Sequence, residues 1–255
     1  MNDKELRKIW EDEEKTASIT GWDFSHIDGK YEEDNNHPWD YRGEIEKVLT
    51  PDKKLLDIDT GGAEFLLSLN HPYKNTAATE GYPPNVELCK KRLLPLGADF
   101  RELTDYKNTT FKDNEFDVVI NRHGDFDAEE LYRIVKPGGY FITQQVGEDN
   151  DRDLVLFLLP DTPKSFPNHN LKNNAKKLSD AGFIIESAEE FFEPIRFFNT
   201  SALVWFAKII EWEFIGFSVD KCFDKLLEVE KKIKEKGSFE GTTHRFFIKA
   251  RKPQR

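Results

Sequence analysis

From Glu44 onward the apolar positions of the chain alternate between two periods. Short apolar runs read as strands at KLLDID (54–59), NTAATE (75–80), ADFREL (98–103), FDVVINR (116–122) and YFITQQV (140–146). Between them, EIEKVLT (44–50), AEFLLSL (63–69), VELCKKRLLPLG (86–97) and DAEELYRIV (127–135) carry helical spacing, the last two closed by Pro95 with Gly97 and by the KPGG turn at 136–139. The continuous apolar centre of FDVVINR suits a strand covered on both faces. Strands separated by single helices imply a parallel sheet with right-handed crossovers, hence an α/β fold.

Beyond Val146 the order weakens. Residues 147–170, with Pro160, Pro163 and Pro167, read as an insertion or lid. A helix at LKNNAKKLSDAG (171–182), a strand entering an extended stretch at 183–198, an amphipathic helix at 201–214, a charged helix at 223–237 and a last strand at 243–252 complete the chain. Residues 1–45 are polar and acidic but hold Trp10, Trp22, Phe24, Tyr31, Trp39 and Tyr41. A disordered tail is poor in aromatics, so this segment is expected to be an N-terminal cap on a domain spanning 46–255.

The 255 residues, 38% hydrophobic and 33% charged, suit a soluble globular protein. No run approaches the roughly 18 apolar residues of a membrane span, and the N-terminus is charged where a signal peptide is apolar, so a cytoplasmic protein is expected. Cys89 and Cys222 lie far apart and belong to no metal-ligand spacing; both are expected on helix faces or in the core, and no metal is expected. A net charge of −11 opposes binding to phosphate backbones. The expected partner is a small molecule, with the chain a monomer or homodimer.

In an open parallel sheet, ligands sit at the carboxyl ends of the strands. The residues there are Asp57 to Ala63, Glu80 with Gly81, Asp105 with Tyr106, Asn121 to His123, and Gln144 with Gln145. Gly61 and Gly62 between strand and helix would let backbone approach a ligand, and Glu80 is spaced to accept hydrogen bonds from ribose hydroxyls. A tight turn with a solvated Glu explains the same residues. Glu64 stands where a dinucleotide fingerprint has glycine, and its charge would repel a pyrophosphate; a nucleoside without phosphates fits better.

These segments, in this order, resemble the class I S-adenosylmethionine-dependent methyltransferases. LLDIDTGGAEF resembles the family's first motif, AATEGYPPNVELCKKR its second strand and helix, TDYKNTTFKDNEFDVVINRHGDF the stretch through its fourth strand, and ELYRIVKPGGYFITQQV its helix, KPGG turn and fifth strand. The resemblance implies a Rossmann-like, doubly wound, mostly parallel seven-stranded sheet with helices on both faces and an antiparallel last strand. It implies S-adenosyl-L-methionine as cofactor, with Asp57, Gly61 and Gly62 bordering its methionine part. Glu80, beside Gly81, would take the ribose hydroxyls, Asp105 the adenine amino group with Tyr106 or Tyr82 near the ring, and the Asn121 carbonyl the amine. The family's acid-x-Gly-x-Gly-x-Gly turn maps to Asp57, Asp59, Gly61 and Ala63, so two glycines are replaced. Asp tolerates left-handed backbone angles, and its carboxylate is either a ligand of the cofactor's ammonium or a bulk that weakens binding.

Methyl transfer from a sulfonium needs chiefly alignment, and a base only where the acceptor keeps its proton. His123 is the candidate base, Arg122 a candidate for an anionic acceptor, and Gln144 and Gln145 for a polar one; ordinary loop and strand roles explain each as well. In HPWDYRGE, Trp39 and Tyr41 would fold over the pocket, with Tyr41 or Arg42 on the cofactor's carboxylate. The loop NRHGDF lacks the Asn/Asp-Pro-Pro-aromatic box of amino-directed nucleic-acid methylases. Three functions follow in order: a methyltransferase for a small-molecule O or N acceptor, an RNA methyltransferase, and a cofactor-binding protein without catalysis.

Overall fold

The computed structural model describes residues 1–18, 23–34 and 36–254; Trp22, one of the aromatics of the expected cap, lies outside the described residues. Eight strands are formed among them: β1 (Tyr31–Glu33), β2 (Leu55–Ile58), β3 (Thr76–Glu80), β4 (Asp99–Glu102), β5 (Phe116–Arg122), β6 (Val135–Val146), β7 (Ile184–Phe197) and β8 (Phe239–Arg251). They make one sheet in the order β1-β7-β8-β6-β5-β2-β3-β4, with helices around it. The α/β expectation holds, with one strand more than the seven expected. The addition is β1, which pairs antiparallel with β7 from Tyr31 opposite Phe197 to Glu33 opposite Ile195. No helix among the described residues is long and apolar enough to cross a membrane.

The chain divides into two compact units. One comprises residues 37–147, 169–190 and the chain from Arg245 on. Here β2 pairs in parallel with β3 and β5, β3 with β4, and β5 with β6, while β8 closes antiparallel on β6 from Tyr140 opposite Arg251 to Val146 opposite Arg245. Every residue of β2 and β3 is buried, including Asp57 and Glu80 at their carboxyl ends. The helices are α2 (Tyr41–Glu46), α3 (Glu64–Ser68), α4 (Pro83–Leu93), α5 (Ala128–Ile134) and α7 (Leu171–Asp180). Pro83 and Pro84 open α4, where the missing N–H groups cost nothing. The KPGG segment does not end a helix as a plain turn; β6 already runs from Val135 through it. The register against β5 shifts between Phe116 and Val118, and a Cβ on Gly139 would stand 2.8 Å from the Asp117 carbonyl oxygen, so the glycine lets the strands close over a bulge.

The second unit comprises residues 1–36, 148–168 and 191–244. The polar N-terminus contains α1 (Asp3–Thr16), opened by a capping box in which Asn2 accepts from the Glu5 N–H and Glu5 accepts from the Asn2 N–H. Its buried stripe, Leu6 and Trp10, packs with helices α8 (Thr200–Ile209) and α9 (Val219–Lys236). Phe24 meets Trp205 edge-on at 5.7 Å between ring centres. Residues 148–168 contribute α6 (Arg152–Leu158), whose Leu154, Val155 and Leu158 join the same apolar core.

Candidate cofactor site

From β2 the chain winds through β3 and β4 on one side, then returns to β5 on the other side of β2. The carboxyl ends of β2 and β5 therefore flank a topological switch point, where a crevice opens in such sheets. Asn121 at the end of β5 bridges it, donating from Nδ2 to the Ile58 carbonyl at 2.9 Å.

The turn after β2 has positive φ at Asp59 (54°), Gly61 (62°) and Ala63 (66°), the three positions the resemblance assigns to glycine. The two replacements thus keep left-handed backbone, at a cost of roughly 1–2 kcal/mol each for a residue with a Cβ. Neighbours hold the turn in place. Thr60 N–H donates to the Thr79 carbonyl at 3.0 Å, and Gly61 N–H to Glu80 Oε2 at 2.8 Å. From α4, Cys89 Sγ donates to the Gly61 carbonyl at 3.0 Å and Arg92 to the Gly62 carbonyl at 2.6 Å. Sequence reading placed Cys89 on a helix face and missed that this face supports the turn; burial pushes its thiol up to about 12, so it acts as a neutral donor.

Glu80 is buried and accepts from three backbone amides: Gly61, Gly81 and Tyr82, the last two at 2.9 Å. A carboxylate has about four acceptor sites, which leaves roughly one for a ligand hydroxyl. Gly81 is needed here because a Cβ would stand 2.4 Å from the Leu103 carbonyl oxygen. Asp57, also buried, accepts from the Thr60 hydroxyl at 2.6 Å. Burial raises its carboxyl to about 7 against the opposing Thr60 bond, with Asp59 and Glu80 pushing the same way as burial.

The Asp59 side chain meets the loops after β4 and β5. It accepts from the Tyr106 hydroxyl through Oδ2, while its Oδ1 is buried and has no hydrogen-bond partner among the described residues. Its carboxyl is raised to about 6, first by burial and then by Glu80 and Asp125, with the Tyr106 bond opposing. The Tyr106 hydroxyl is itself held well above its ordinary value by burial and by Asp59. Gly124 leaves the space: a Cβ there would lie 2.5 Å from Asp59 Cβ and 2.6 Å from Asp59 Oδ2. Gly124 and Asp125 escaped sequence reading, although a glycine in NRHGDF opposite a turn that had lost one was the available signal. Asp105 is not drawn into this cluster. It is exposed and accepts from the Lys107 N–H at 3.0 Å in a local turn.

Both raised carboxyls have a consequence for stability. Unfolded, Asp57 and Asp59 ionise near 3.8; folded, they keep protons to about 7 and 6. Between about pH 4 and 7 the native state therefore binds more protons, and stability falls as pH rises, at most about 1.4 kcal/mol per pH unit per group. Urea unfolding at intervals across pH 4.5 to 7.5 is expected to show a shallower decline in Asp57→Asn than in wild type; parallel slopes would refute the assignment.

On the other flank, the buried Asn121 accepts through Oδ1 from Thr143 Oγ1 at 3.2 Å and from Gln145 Nε2. Gln145 also donates to the Gly124 carbonyl at 3.0 Å, so it braces the loop after β5 from below. The Asn121 carbonyl accepts from the Tyr41 hydroxyl at 3.1 Å, and Trp39 Nε1 donates to Gln144 Oε1 at 2.8 Å. Trp39 and Tyr41, both buried, thus sit on the ends of β5 and β6. Arg42 turns elsewhere, donating to Ser68 of α3 and to Glu46. His123 has φ of 65°, donates its N–H to the Gln144 carbonyl at 2.9 Å and places Nε2 3.5 Å from Gln144 Nε2. Desolvation and the charges of Arg245, Arg122 and His37 push its imidazole pKa down. The residue as a whole is exposed. Arg122 is exposed and lies 5.6 Å from the Phe65 ring.

Comparison with known proteins decides what this crevice belongs to. Residues 56–143, which contain the turn, Glu80, Asn121 and the loop after β5, match the family model of a methyltransferase domain. The crevice thus lies within a methyltransferase domain that makes up about a third of the chain. Phthiotriol/phenolphthiotriol dimycocerosates methyltransferase of Mycobacterium tuberculosis is 32% identical over 109 residues, 39% of this chain and 40% of that one. The chain thus spans about two-fifths of the length of the curated relatives it matches. A Bacillus halodurans protein assigned to the methyltransferases shares the fold with TM-score 0.57 and 16% identity, over 84% of this chain and 99% of that one. The [4+2]-cyclase SpnF does so with TM-score 0.51 and 17% identity, over 97% and 92%. The family's cofactor is S-adenosylmethionine, and the crevice suits it chemically. An unpartnered buried acceptor on Asp59 and the remaining acceptor site on Glu80 match a cation that carries N–H and O–H donors.

Proposed function

We propose that this chain transfers the methyl group of S-adenosylmethionine to an oxygen or nitrogen of a small-molecule acceptor. The observation that carries the reading is the convergence of the left-handed turn, the thrice-bonded Glu80 and the Asn121 bridge on one switch-point crevice inside the matched domain. In this reading Asp57, Gly61, Gly62 and Asn121 border the methionine part and Glu80 with Gly81 the ribose. Tyr106 stands beside Asp59, Tyr41 backs Asn121, and Asp105, on its exposed loop, is assigned the adenine edge. His123, Arg122 and Gln144 face the acceptor. The cofactor supplies the reactive carbon when bound; the chain's own part is to align an acceptor with it and exclude water. A neutral His123, weak as a lasting proton holder, suits taking a proton only as it is lost during transfer.

Two observations support a small acceptor over RNA. The net charge is −11, and Lys90 pairs with Glu87 and Glu102, Arg92 with Glu64, and Lys176 with Asp180, which leaves fewer cations for a basic face. The mycobacterial relative's name carries a triol, which favours oxygen as the acceptor atom. Calorimetric titration with S-adenosylmethionine and S-adenosylhomocysteine tests the reading. Binding of both at micromolar to sub-millimolar concentration is expected; no heat from either at millimolar concentration would sink it.

A further inference from the structure

The replacement of the turn's first glycine by Asp59 is accommodated from every side that meets it. The backbone adopts the left-handed angle the position requires, the Tyr106 hydroxyl orients one carboxylate oxygen, and Gly124 vacates the space that a Cβ would take. What is left is Oδ1, buried and without a hydrogen-bond partner among the described residues. A desolvated acceptor of this kind is costly unless something arrives to donate to it. An obstructive substitution would clash or be turned outward; this one fits and is held by Tyr106.

We infer that Asp59 is a ligand of the cofactor's amino group, a charged anchor that makes recognition of the amino-acid end stronger than recognition of the adenosine. The inference rests on the function proposed above. An ammonium offers three donors and one positive charge, which matches one ionised, preoriented carboxylate oxygen. The groups facing Asp59 are Asp57 on β2, Glu80 on β3, Tyr106 after β4 and Asp125 after β5. Apart from the tyrosine they are acids, so they reinforce attraction for a cation and raise the pH at which Asp59 gains a proton. Affinity is therefore expected to fall as pH drops through about 6.

The test is calorimetry of wild type and Asp59→Gly against S-adenosylmethionine, S-adenosylhomocysteine and 5′-methylthioadenosine, which lacks the amino-acid end. Glycine adopts φ of 54° without strain, so the variant is expected to fold, and a thermal melt verifies it. Asp59→Gly should weaken S-adenosylmethionine and S-adenosylhomocysteine alike by about tenfold or more, the loss of a charged hydrogen bond. It should leave 5′-methylthioadenosine within about twofold and flatten the acid limb of the pH dependence. Unchanged or tighter S-adenosylmethionine binding would overturn the inference, as would a loss confined to the sulfonium ligand or shared equally by 5′-methylthioadenosine. If wild type binds none of the three, the proposed function fails instead.

Discussion

Replacing Glu80 with alanine is expected to cost the protein both its cofactor affinity and part of its thermal stability. The carboxylate is the common acceptor for the Gly61, Gly81 and Tyr82 amides, so one substitution orphans three backbone donors at the junction of the turn, β3 and α4. Hydrogen bonds to a charged group contribute roughly 1.5–3 kcal/mol each, and water entering the vacated space recovers only part of that. Gly61 would also lose the bond that fixes its left-handed conformation beside the ligand. Titration with S-adenosylmethionine should show a loss of about a hundredfold or more, from the missing ribose acceptor and the loosened turn together. Glu80→Gln, which keeps one acceptor oxygen, should fall between. Affinity unchanged in Glu80→Ala would mean that the second-strand acid neither organises the turn nor meets the ribose.

Gly124→Ala is expected to damage the site from the opposite loop, and its interaction with Asp59 is the telling part. The new Cβ would stand 2.5 Å from Asp59 Cβ and 2.8 Å from Asn121 Nδ2, closer than carbon atoms pack. Both neighbours are fixed, Asp59 by Tyr106 and Asn121 by the Ile58 carbonyl. Relief requires the loop after β5 to move, at a cost of about 1–3 kcal/mol for overpacking a fitted position. Removing the Asp59 side chain removes most of the clash. Chemical denaturation of wild type, Gly124→Ala, Asp59→Gly and the double variant should therefore show strong coupling, with the double variant more stable than Gly124→Ala by about 1 kcal/mol or more. Additive effects would mean that the two loops do not meet at this point.

These two variants also mark the boundary between what was legible in the chain and what was not. Glu80 could be singled out because an acid about 20 residues past a glycine turn has a chemical meaning independent of any particular fold. Gly124 could not, because its significance lies in the atom it leaves out opposite a residue 65 positions earlier. Cys89 and Arg92 are similar cases. A helix face explains them locally, and only the packing of α4 beneath the turn shows them holding the Gly61 and Gly62 carbonyls.

Local alternation of period determined the order of strands and helices from β2 to β6, since burial on both faces of a parallel sheet leaves short continuous apolar runs that no amphipathic helix would produce. The N-terminal helix α1 and strand β1 went unrecognised because their partners, the aromatic helix α8 and the end of β7, lie about 165 residues or more away in the chain. Tertiary structure alone decided the state of Asp59. From sequence it was a polar residue where glycine was expected. In the fold, burial raises its carboxyl, Tyr106 orients it, and one oxygen remains without a donor. Desolvation and orientation are properties of what surrounds a group, and those surroundings come from three strand ends that are distant in sequence.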